Sequence, residues 1–98
     1  MTNPKRGDII RYGSESDNLY LVVSPEKYNK SKGLISYVPL IETSMMDPFI
    51  LPVPGHELSL LSTVIQTMEW TEDRLEIVEQ LDYILLEEVM VNLRGLLT

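Results

Sequence analysis

His56 is the only histidine among the 98 residues, and there is no cysteine. One imidazole beside one carboxylate, in Pro54-Gly55-His56-Glu57, falls short of a metal-ligand set, so no metal ligand is assigned and His56 reads as an exposed turn residue. The lack of thiols excludes a disulfide scaffold and a thiol nucleophile. The acid pairs Glu72/Asp73 and Glu87/Glu88 are sequence neighbours. They do not share a helix face as residues four apart do, and they read as solvated surface. No glycine-rich phosphate loop, Gly-x-Ser-x-Gly elbow or cofactor motif is present. Lys27, Lys30 and Lys32 form a short basic run that could meet phosphates or only water. Tyr12, Tyr20 and Tyr37 fall on strand-like segments, where aromatic rings either pack a core or stack single-stranded bases. Trp70 reads as core or interface, and Met45-Met46 as a weak candidate for an adaptable contact surface.

The charge is uneven along the chain. Six basic against four acidic residues precede position 34, and two against eleven follow it, so +2 and -9 make up the net -7. Nucleic-acid binding rests on neutralising phosphates, and only the first third could supply the cations. The length and the 44% hydrophobic content fit one folded domain over residues 1–98. No apolar run reaches the ~18 residues of a membrane span. The first residues carry no apolar signal segment. The expectation is a soluble cytoplasmic protein.

These residues need elements to hold them. Gly7–Tyr12, Leu19–Ser24, Leu34–Ile41, Phe49–Val53, Leu58–Gln66 and Arg74–Glu79 read as strands, separated by Gly, Pro and polar turns. Pro25 ends the second, and Pro39 suggests an edge or bulge in the third. Leu58–Gln66 mixes its apolar residues as a strand buried on both faces does. Glu26–Gly33 reads as a polar loop. The period then changes. Leu86, Val89, Met90, Leu93 and Leu97 recur at three and four residues, which predicts a C-terminal helix. Asp82 is its expected N-cap, with Leu81 and Leu86 placed for a hydrophobic staple. The fold class is mainly β with a C-terminal α-helix, about six short strands in a strongly bent sheet or barrel.

In order, these segments resemble the MazF/PemK (Kid) toxin family of bacterial toxin–antitoxin systems. The resemblance runs through Lys5-Arg6-Gly7-Asp8-Ile9-Ile10, Leu21-Val22-Val23-Ser24-Pro25 with Tyr28-Asn29, Val38-Pro39-Leu40, and Pro48-Phe49 with Leu51-Pro52-Val53. It continues in Thr67-Met68-Glu69-Trp70, Arg74-Leu75, Leu86-Glu87-Glu88-Val89 and Leu93-Arg94. It implies an SH3-like bent sheet, usually a homodimer, and metal-independent cleavage of single-stranded RNA that needs no cofactor and is neutralised by an antitoxin protein. An apolar helix stripe wider than one small sheet can cover also points to a homodimer.

The family's site residues are substituted. Its Arg-Pro before the second strand falls at Asn18-Leu19, its Thr or Ser after the third-strand Pro at Ile41, and its fifth-strand Asp near Ser62 or Thr63. An active site would then use Arg11 for the phosphate, Glu15 or Asp17 as base and Ser62 or Thr63 as hydrogen-bond donors. Asn18, Lys27, Lys30 and Lys32 would meet the RNA. The alternative is a toxin-fold protein without catalysis that acts as a protein-binding module.

Overall fold

A computed structural model of the chain describes residues 3–13 and 17–96. Seven strands form one antiparallel sheet: β1 (Asp8–Tyr12), β2 (Leu19–Val22), β3 (Leu34–Ile41), β4 (Ile50–Pro52), β5 (Ser59–Leu61), β6 (Gln66–Glu69) and β7 (Leu75–Gln80). Two α-helices accompany them among the described residues, α1 (Glu26–Lys32) and α2 (Tyr83–Gly95), and one turn of 3-10 helix (Glu72–Arg74) leads into β7. The order is β4-β5-β3-β2-β1-β7, with β6 also paired to β3. The long β3 changes partner along one edge. Its first half pairs with β6 and its last residues with β5. Pro39 falls at that change, between the last β6 pair at Tyr37 and the first β5 pair at Leu40.

Strand alternation puts two apolar sets on opposite faces. Ile9, Leu21, Val38 and Leu60 are fully buried in the inner set, with Val89 of α2 across from them. On the outer face Ile10, Val22 and Ile35 are equally buried beneath Tyr20, Tyr37, Met68, Trp70 and Ile77. The mainly β fold with a C-terminal helix is thus present, with seven strands in place of about six.

Asp82 caps α2 as expected. One carboxylate oxygen accepts from the Ile84 and Leu85 amides at 3.1 and 3.4 Å, satisfying donors that the first turn leaves open. The stripe packs on the inner core through Leu85, Leu86, Val89, Met90 and Leu93. Leu97 lies outside the described residues. Gly7 lies under α2 at φ 99°, where an added Cβ would come within 3.1 Å of the Leu86 side chain. Its carbonyl accepts from the Leu81 amide at 2.8 Å, tying the start of β1 to the approach to α2.

Two expectations are corrected. Glu26–Gly33 is not a loop, because Glu26–Lys32 is a helix. It lacks the apolar period that would have revealed it. Its signals are terminal: Glu26 in the first turn, Lys30 and Lys32 in the last, and Gly33 closing it at φ 64°. Buried polar bonds hold it instead of an apolar face. The Asn29 amide donates to the Pro4 carbonyl at 2.7 Å, and Trp70 Nε1 donates to the Asn29 carbonyl at 3.0 Å. Leu58–Gln66 is likewise not one strand. The chain turns between Leu61 and Gln66, with the Val64 amide bonded back to the Leu61 carbonyl at 3.0 Å. Ser62 anchors the turn. Its amide and hydroxyl both donate to the Phe49 carbonyl, at 3.0 and 2.5 Å.

Candidate functional site

Arg11 sits near the end of β1, paired in register with Leu19 of β2 on one side and Glu76 of β7 on the other. Registered partners point to the same face, so Arg11 and Glu76 meet. The guanidinium Nη1 lies 2.6 Å from a Glu76 carboxylate oxygen. The Arg11 side chain is 37% exposed and that of Glu76 63%, so the pair is open to solvent. Arg11 Nε is buried without an acceptor. A pocket of about 410 Å³ opens between Arg11, Gly13, Asp73, Arg74, Leu75 and Glu76. Arg74 lies over the Tyr12 ring at 5.5 Å, a cation–π contact. Two guanidiniums and two carboxylates therefore surround one polar hollow.

The other sequence candidates fall in three places. Asp17 and Asn18 are exposed just before β2, at the same end of the sheet as Arg11. Glu15 lies outside the described residues. Tyr20 pairs with Pro39, and continuing that register sets Asn18 opposite Ile41. The two substituted positions are thus neighbours, next to Leu19, the β2 partner of Arg11. Lys27, Lys30 and Lys32 are exposed on α1, which follows the other end of β2, so the fold separates them from Arg11. Ser62 is fully buried, and its hydroxyl also accepts from Asn92 of α2 at 3.0 Å. Thr63 is half-buried in the turn beside it.

His56 departs from its reading as an exposed turn residue. It does lie in the β4–β5 turn, but its ring is only 24% exposed and its Nε2 is bonded to Glu79 of β7. β4 and β7 are the two ends of the strand order, so this contact joins opposite edges of the sheet. Sequence reasoning missed Glu76 and Glu79 as partners. The alternation in Arg74–Glu79 showed a charged face, and the β1–β7 pairing that aims it at Arg11 leaves no local signal.

On the outer face the Tyr20 and Tyr37 rings meet edge to face, 4.8 Å between centroids. The Tyr37 hydroxyl donates to Gln66 at 3.1 Å. Burial, and then the neighbouring Tyr20, raise the Tyr37 phenol above its ordinary 10.0. Among the described residues no group of three or more His, Asp or Glu is placed to hold a metal ion. No helix there is long and apolar enough to cross a membrane.

No family model matches the sequence, and no curated protein matches it. Solved structures do. The chain is similar to one in a MazE–MazF complex from Deinococcus radiodurans, with 25% identity and a TM-score of 0.88 over 99% of this chain and 98% of that one. The chain is MazF-like. It is also similar to MazF alone from the same organism, at 23% identity and a TM-score of 0.85 over 99% and 98% of the two chains. An endoribonuclease in complex with its cognate antitoxin, from a mycobacterial species, matches at 19% and 0.79 over 96% and 94%. The MazF-like fold accounts for the bent sheet and the C-terminal helix.

Proposed function

We propose that this MazF-like chain is the toxin of a toxin–antitoxin pair and inhibits growth as a metal-independent endoribonuclease on single-stranded RNA. The observation that carries the reading is the coincidence of fold over almost the whole length of both chains with MazF of a MazE–MazF complex. An antitoxin protein is the partner that this likeness supports. The homodimer expected from the resemblance belongs to the same proposal.

In metal-free RNA cleavage the 2′-hydroxyl attacks the adjacent phosphorus. The site must move protons and stabilise charge on the phosphoryl oxygens. Arg11 is our candidate for the second task, because a guanidinium can hold two phosphoryl oxygens at once. Asn18, the position where the resemblance places an arginine, continues β2 across from Tyr12 and so falls on the opposite face, which leaves Arg11 as the guanidinium of its own face. Lys27, Lys30 and Lys32 would then meet RNA only where the strand extends past β2 to α1.

Induction in a bacterial host, with growth and RNA ends followed together, tests the reading. Growth arrest with new 5′ ends at one repeated short sequence is expected. Arg11→Ala should reduce cleavage about 100-fold, the usual cost of removing one transition-state donor. Normal growth and intact RNA with folded protein would overturn the reading.

A further inference from the structure

We infer that the hollow between the end of β1 and the start of β7 takes a guanine base of the RNA, read by Asp73 and Arg74 beside Arg11. The inference rests on the endoribonuclease reading and names the base next to the cut.

One hollow of about 410 Å³ brings Arg11, Asp73, Arg74 and Glu76 together. That volume falls within the roughly 300–1,000 Å³ of small-ligand sites. Backbone bonds fix its walls. The Gly13 amide donates to the Arg74 carbonyl at 2.8 Å, and the Arg74 amide to the Thr71 carbonyl at 3.2 Å. Asp73 and Arg74 share the 3-10 turn before β7, so both side chains start from one wall. The four charges are not equivalent. Glu76 is held by Arg11 at 2.6 Å. Arg74 stands over the Tyr12 ring at 5.5 Å, a contact that gives its N–H donors no oxygen. Among the described residues neither Asp73 nor Arg74 forms an ion pair. One carboxylate and one guanidinium are therefore left for a ligand, next to the Arg11–Glu76 pair.

An acid in an RNA site needs a reason. A carboxylate repels phosphate and is favourable only where the RNA offers it donors. Guanine is the one base of the four with two acceptors on one edge, O6 and N7, and two donors on the next, N1–H and the N2 amino group. A guanidinium donates to the first pair, and a carboxylate accepts from the second. Adenine sets an acceptor beside a donor, which suits an amide side chain. Cytosine gives a carboxylate only its N4 amino group, and uracil only N3–H. Arg74 therefore reads O6 and N7, and Asp73 reads N1–H and the N2 amino group. Arg11 stays with the phosphate, and Glu76 stays with Arg11.

The sequence mapped in cells should carry a guanine beside the cut. The test measures kcat/KM on oligoribonucleotides of that sequence with this guanine changed. Inosine lacks the N2 amino group, and 7-deazaguanine lacks N7. Each should be cut about tenfold more slowly than guanine, and adenine about 100-fold more slowly. Asp73→Asn should bring inosine to within about twofold of guanine and leave the loss on 7-deazaguanine. Arg74→Met should do the reverse. Both residues are exposed, and thermal unfolding checks that the variants fold. The crossed pattern is a ratio between substrates, which a structural role does not move. A mapped sequence without guanine beside the cut would overturn this inference and leave the endoribonuclease reading standing. So would inosine and 7-deazaguanine cut within twofold of guanine by the parent chain, or a guanine preference unchanged in both variants. Absence of cleavage by the folded parent chain would overturn both.

Discussion

Asn29 offers the sharpest test of how the fold is held. It is fully buried on a helix of seven residues, too short to be stable alone. Its amide nitrogen donates to the Pro4 carbonyl at 2.7 Å and to the Ser24 carbonyl at 3.2 Å, and its amide oxygen accepts from the Ser24 hydroxyl at 2.5 Å. Asn29→Ala removes all three bonds and leaves buried carbonyls facing apolar surroundings. A lost bond costs about 0.5–1.5 kcal/mol and an unsatisfied buried group about 1–3 kcal/mol, so a loss of about 2–4 kcal/mol is expected. The Ser24 hydroxyl keeps its bonds to Ser36, accepting from the amide at 2.9 Å and donating to the carbonyl at 3.5 Å, which argues against the top of that range. At roughly 4–8 °C per kcal/mol for a domain of this size, melting should fall by at least about 8 °C. Thermal and urea unfolding measure it, with the exposed Lys30→Ala as a control expected within about 0.5 kcal/mol. A loss below about 1 kcal/mol would refute the view that buried polar bonds hold α1.

Three other outcomes follow from the same structure. Asp82→Ala should cost about 1 kcal/mol by freeing the first-turn amides of α2, and urea unfolding would show it. Leu60→Ala, at a fully buried position of the inner core, should cost about 2–5 kcal/mol in the same measurement. Tyr37 holds its proton more tightly folded than unfolded, because burial disfavours the phenolate. Stability should therefore fall as pH rises through about 10, where the unfolded chain ionises first, and Tyr37→Phe should lessen that fall.

The residues that reveal themselves in sequence are those whose signal is local. Alternation marks β1 and β2, the 3.6 period marks α2, and Asp82 declares its cap. β3 was legible to the residue, because Gly33 precedes it and its alternation is long. α1 was not, since its stability comes from a buried asparagine that meets Ser24 just before the helix and Pro4 and Trp70 from distant parts of the chain. The turn inside Leu58–Gln66 was hidden for a related reason. Ser62 draws the chain around through the carbonyl of Phe49, thirteen residues earlier. The site divides the same way. Arg11 could be singled out as a cation on a strand, while Glu76 becomes its partner only through the register of β1 on β7.

That register also sets how Arg11, the proposed phosphate contact, relates to position 18, where the resemblance places an arginine. Neighbouring strands lie about 4.8 Å apart, less than the length of an extended arginine side chain. Leu19 is the β2 partner of Arg11, and Asn18 is the next residue. Alternation nevertheless turns Asn18, like Tyr12 across from it, to the face opposite Arg11, so a guanidinium at position 11 does not serve the space of one at position 18. The two positions are then not interchangeable, and Asn18→Arg placed in an Arg11→Ala background should leave cleavage within about threefold of Arg11→Ala alone. Asn18 is exposed, so the larger side chain meets no packed core. Single-turnover cleavage of an oligoribonucleotide carrying the mapped sequence would measure it. A gain of about tenfold or more would mean that the phosphate is reached from both faces and would refute the separation.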